Sequence, residues 1–194
     1  MRRIYDFSMV KRILFLIGSL IILSLGLAWV SSRFESLQGW GSFLGVSTLG
    51  AGLLTLCWLA LRRESIPRWV LWLTIAAAIL RLLIGVFWTL ALPEWGYGSD
   101  AELAGYIMSD AQKRDMAAWE FAHVDTFWLQ AFDGYRSVDQ YGGLLFFSAA
   151  MYKFFGGAIH LPLMMVVVSA VFSSLALLFT WDFTRRIWDR RVAT

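Results

Sequence analysis

The chain has 194 residues, 59% of them apolar and only 16% charged, with a mean hydropathy of +0.62 and a net charge of +3. That balance excludes an ordinary water-soluble domain, and several uncharged runs approach the twenty or so residues that cross a bilayer. The single cysteine, Cys57, excludes an internal disulfide, and the sequence holds no Gly-rich phosphate loop, no His/Cys metal cluster and no basic nucleic-acid patch.

In chain order, the first apolar stretch is ILFLIGSLIILSLGLAWVS, which follows Arg2, Arg3, Lys11 and Arg12. It is long for a signal peptide and no A-x-A-like site follows it cleanly, so it reads as an uncleaved span over 13–31. Further spans are expected over 40–61, 69–92 and 160–181, with Trp concentrated near their ends as in an interfacial belt. The run GGLLFFSAAMYKFFGG, 142–157, is too short to cross and contains Lys153. It reads as an interfacial or re-entrant helix.

Loop charge sets the direction. The N-terminus, the 62–68 turn and the C-terminal tail hold eleven of the seventeen basic residues and belong inside. Segment 93–141 holds nine of the fourteen acids against three basic residues and belongs outside. The expectation is an all-α polytopic helix bundle in the cell membrane, one domain over 1–194. It has about four transmembrane helices, juxtamembrane helices in an outer loop, and both termini cytoplasmic.

Within the loop, Ser99-Asp100-Ala101-Glu102 and Ser109-Asp110-Ala111-Gln112 both fit the capping box, predicting helices near 100–108 and 110–123. Gly134, in an Asp-Gly-Tyr turn, closes a possible third piece. Asp110 becomes the first helical residue, where free amides and Arg114 at i+4 favour a carboxylate. It reads either as a plain helix-start acid or as a base presented at the membrane face. Asp115 lies about 140° around the helix from Asp110, so the two cannot form a paired site; Asp115 reads as structural or as a supporting partner. Asp139, Gln140 and Tyr141, ahead of Gly142 and Gly143, form either a capped turn or a polar ligand site at the re-entry. Arg81 falls mid-span, where a charge is costly, and calls for an acidic partner from a neighbouring span or a lipid phosphate. His123 and His160 have no ligand-spaced partners, so no metal site is expected from them.

The order of these features resembles a family. A span ending in Leu92-Pro93 leads to an outer loop with an Asp-led helix and a Tyr/Gly-rich re-entry. MYKFFGG, a full span and TRRIWDRRVA follow. Over roughly 80–194 this is similar to the N-terminal part of the GT-C superfamily of integral-membrane glycosyltransferases, near the protein O-mannosyltransferase and aminoarabinose-transferase group. The resemblance implies that Asp110 is the catalytic base. It also implies that Asp139 to Gly143 face the donor or acceptor, and that Arg114 or Arg81 counters a lipid phosphate. Ala111 stands where the family usually has Glu, DQYGG replaces a Pro-rich re-entry, and two additional spans precede the loop. Family members are longer, so the chain is expected to be an N-terminal fragment of a larger enzyme or to work with a partner.

Two functions follow as expectations. The first is transfer of a sugar from a polyprenyl-phosphate-linked donor to an extracytoplasmic hydroxyl, with membrane lipid and the remainder of the enzyme as partners. A divalent cation is conceivable for such chemistry, although no cofactor is evident in the residues. The second is a non-catalytic polytopic subunit that binds a partner through its acidic outer loop. Neither involves nucleic acid.

Overall fold

The computed structural model describes residues 7–61, 66–124, 128–132 and 142–188. Among the described residues seven α-helices follow one another: α1 (Phe7–Ser31), α2 (Trp40–Leu61), α3 (Arg68–Trp95), α4 (Asp100–Leu103), α5 (Ser109–His123), α6 (Gly143–Phe155) and α7 (Pro162–Trp188). A 3₁₀ turn, Trp128–Phe132, lies between α5 and α6. No strand occurs among the described residues. The chain is an all-α bundle in which α1, α2, α3 and α7 are each long and apolar enough to cross a membrane.

The outward faces of these long helices are apolar. Leu14, Phe15 and Leu16 on α1, and Trp72, Leu80 and Leu83 on α3, are exposed. Such faces would cost roughly 25 cal/mol for each Å² held in water, a cost that hydrocarbon surroundings remove. The helices also run past the apolar segments read from the sequence. α1 reaches back to Phe7, α3 forward to Trp95, and α7 on to Trp188. Lys and Arg are good helix formers whose stems lie along apolar surface, so α1 and α7 continue into their basic flanks. On α7, Arg185 and Arg186 pair with Asp182, and the Arg185 guanidinium lies 5.0 Å from the Trp181 ring centroid. α7 starts at Pro162, two residues later than expected, because proline suits the first helical position; the Leu161 carbonyl accepts from Met164 N–H.

Burial is concentrated at one end of the bundle. The main core joins Leu27 and Ala28 of α1, Phe43 and Val46 of α2, Met164 and Val167 of α7, and buried residues of α5 and α6. A smaller cluster, Leu61, Val70, Leu178 and Trp181, holds the opposite end. α6 is too short to span, and one of its faces is buried while Leu144 and Phe154 stay exposed. Leu145 and Tyr152 are fully buried, and α6 packs on α5 and α2. Its entry depends on Gly142, whose φ of +70° lies in the left-handed region and where a Cβ would strike the backbone of Ala131 and Phe132.

The two loop helices differ from expectation. α4 is one turn, capped by Ser99 with the full capping box to Glu102, and ends at Leu103 rather than 108. Its Glu102 carboxyl sits below the usual range, chiefly because Ser99 donates to it. α5 starts at Ser109 itself, behind Met108, with no side-chain cap. The second capping box is therefore not formed, and Asp110 is the second residue of the helix. The turn expected at Gly134 lies outside the described residues.

Candidate functional site

α5 is amphipathic in an unusual sense: its buried stripe is Asp115, Ala118, Phe121 and Ala122, so an acid occupies a core position. Burying a carboxylate is costly unless hydrogen bonds replace its water. Three donors supply them. Tyr106, in the link between α4 and α5, donates to Asp115 Oδ2 at 2.5 Å. Tyr152 of α6 divides one proton between Oδ1 at 2.8 Å and Oδ2 at 2.9 Å. His160, just ahead of α7, approaches Oδ2 through Nε2 at 2.9 Å, which makes Nε2 the protonated nitrogen facing the carboxylate. Asp115 thus fastens four segments at one point. Burial, then the charge of Asp115, then the hydrogen bond to it hold the Tyr106 phenol well above the usual range, so that hydroxyl stays a donor.

Beside this hub lies a cavity of about 1050 Å³. α3 and α7 form its long walls, with α3 contributing from Ala77 to Thr89, a length of about 18 Å. The α4–α5 link, α5 and α6 bound one end. Leu80 and Ile84 line it while remaining about half exposed, so it is open along its flank. The walls are mostly apolar, with polar groups at two levels. Arg81, Ser169 and Ser173 lie along the α3–α7 walls, and Tyr106, Arg114, Asp115 and Ser148 lie at the bounded end. Arg81 Nε donates to Ser169 Oγ at 3.2 Å across the two helices.

No family model, curated protein or solved structure matches the chain.

The structure distributes the sequence-derived candidates unevenly. Arg81, Arg114 and Asp115 all line the cavity, Arg81 along the α3–α7 walls and the other two at the bounded end. Asp110 is exposed and does not line the cavity, though Met108 and Ala111 on either side of it do. Arg114 forms no ion pair with Asp110; it turns to the cavity, so the expected i,i+4 support is not made. Arg81 meets a serine and not an acid, and nothing among the described residues neutralises it. Asp139, Gln140 and Tyr141 lie outside the described residues.

Sequence reading missed Tyr106, Tyr152 and His160. Their separations from Asp115 are 9, 37 and 45 residues, a set that no helical or motif spacing connects. One signal was present: an acid in register with Ala118 and Ala122 on the apolar stripe of α5, which asks for buried partners. His160 is no lone histidine. Besides its bond to Asp115, its ring lies 5.7 Å from Trp119 and 5.6 Å from Tyr152. Among the described residues no group of three or more His, Cys, Asp or Glu could hold a metal ion.

Proposed function

We propose that the chain is a membrane-embedded glycosyltransferase, or part of one, whose cavity receives a polyprenyl-phosphate-linked sugar. The observation that carries this reading is an apolar, side-opening cavity between two long helices with two arginines, Arg81 and Arg114, on its wall that no acid among the described residues neutralises. An arginine at mid-helix depth in a membrane requires water or an anion. A lipid phosphate supplies the anion, and the lipid chain fills the apolar length between α3 and α7. In this reading the acceptor hydroxyl arrives from the exposed side of α5, where Asp110 serves as base and the lipid phosphate leaves against Arg114. Asp115 is ill-suited to take that proton, since donors already occupy most of its lone pairs.

The test is binding and turnover together. A polyprenyl phosphate is expected to bind the chain in lipid nanodiscs at least tenfold more tightly than the neutral polyprenol, with Arg81→Gln and Arg114→Gln each narrowing the gap. Equal binding of the two lipids refutes the reading. In an active preparation, Asp110→Asn is expected to lower transfer by roughly 100-fold, the contribution of a general base.

A second reading draws on the exposure of Asp110, Lys113 and Glu120 along α5. There the chain is a non-catalytic membrane subunit that docks a partner on this charged face. Reversing Lys113 and Glu120 would then break a complex while leaving lipid binding unchanged.

A further inference from the structure

The Asp115 hub has an asymmetry that the fold does not require. A carboxylate offers about four acceptor positions. Among the described residues, Oδ2 receives Tyr106, His160 and a share of Tyr152, whereas Oδ1 receives only the other share of the Tyr152 proton. Asp115 is nine-tenths buried, and the surface it keeps belongs to the cavity, beside Arg114 and Tyr106. One end of the cavity therefore offers a fixed, under-used anionic acceptor next to a cation. An inorganic or bare lipid phosphate has no use for that acceptor; its oxygens would be repelled. A head group that carries an anion and a hydroxyl donor on adjacent atoms would satisfy both.

We infer that Asp115 Oδ1 accepts a hydrogen bond from a sugar hydroxyl of the bound lipid, making Asp115 the residue by which the cavity distinguishes a glycosylated polyprenyl phosphate from the bare lipid phosphate. The inference rests on the lipid-phosphate reading above. Asp115 here orients and selects; it does not exchange a proton with the ligand. Tyr106, Tyr152 and His160 are positioning residues that hold the carboxylate at the cavity wall.

The experiment measures equilibrium binding of two probes, a polyprenyl phosphate and the same lipid carrying mannose, to the full chain in lipid nanodiscs. The wild-type chain should prefer the mannosyl lipid by about tenfold or more, the lower end of what a hydrogen bond to a charged group contributes. Asp115→Asn should abolish that preference by weakening the mannosyl lipid, while the bare lipid, relieved of a repelling charge, binds at least as tightly as before. Tyr106→Phe, which removes one of the bonds that position the carboxylate, should reduce the preference in part and lower thermal stability, whereas a loss of stability with both probes weakened equally would mark a purely architectural hub. A series of monodeoxy-mannosyl lipids on the wild-type chain tests the same bond without any substitution: one of them should fall to the affinity of the bare lipid. Absence of preference in the wild type, equal weakening of both probes by Asp115→Asn, or a deoxy series that binds like its parent overturns the inference while the lipid-phosphate reading stands. Failure of both probes to bind overturns the two together.

Discussion

Tyr106 and Asp115 are nine residues apart and joined by a 2.5 Å hydrogen bond, which ties the α4–α5 link to the buried face of α5. The link lines the cavity with Gly105, Tyr106, Ile107 and Met108. This bond, together with the backbone bonds from Gly105 N–H to the Glu102 carbonyl and from Tyr106 N–H to the Ala101 carbonyl, fixes a stretch of cavity wall that has no regular secondary structure of its own. Gly105, at φ +85° and close against the Thr89 backbone, lets the link turn there.

The Tyr106 phenol makes a prediction about pH. Its folded pKa is raised above the ordinary value of 10.0, so the folded state holds the proton longer than the unfolded state does. Its contribution is complete below about pH 10 and is lost as pH rises from there toward the raised folded value. Melting temperature in detergent should fall above about pH 10, and Tyr106→Phe should flatten part of that fall. An identical alkaline slope in the variant would show that Tyr106 is not the group responsible.

The two carboxylates of α5 should differ sharply in their effect on folding. Asp115→Ala leaves two hydroxyls and an imidazole N–H without their acceptor, and unsatisfied buried donors cost about 1–3 kcal/mol each. A loss of about 3 kcal/mol or more is expected. Asp110 is exposed, and Asp110→Ala should change the melt little. Comparable losses from both would mean that α5 does not sit as described.

Gly142 gives a third test, independent of any function. Alanine there must adopt a left-handed backbone, which costs roughly 1–2 kcal/mol, and its methyl meets the Ala131 and Phe132 backbone. Gly142→Ala should lower stability by about 2 kcal/mol or more, while Gly143→Ala, at a helical position with open space, should be neutral or stabilising. Thermal melts of the two variants decide it.

Charge asymmetry predicts that α5 and the far end of α7 lie on opposite sides of the membrane. In a Cys57→Ala background, Glu120→Cys should react with an impermeant thiol reagent on intact cells, and Trp188→Cys should react only after lysis. Both sites are exposed, so accessibility within the fold does not confound the comparison. Labelling of position 188 but not 120 on intact cells would reverse the orientation.

The sequence by itself determined the four long helices, the shortness of α6, the Ser99 cap and the amphipathic α5. Each of these follows from local periodicity, hydropathy or a hydroxyl-to-Glu spacing, which neighbouring residues decide among themselves. It also singled out Asp110 as a candidate base, Arg81 as a costly charge at membrane depth, and Arg114 and Asp115 as supporting residues. Tertiary structure alone decided what answers each charge. Asp115 is met by Tyr106, Tyr152 and His160 because α5, α6 and the start of α7 converge at one end of the bundle, a convergence that no local pattern encodes. Arg81 and Arg114 reach one cavity because α3 and α5 both border it, while Asp110, a short side chain in the exposed first turn of α5, does not line it. Helices form from contacts a few residues apart, whereas a buried polar site is assembled from side chains many turns away. Only packing determines which of them meet.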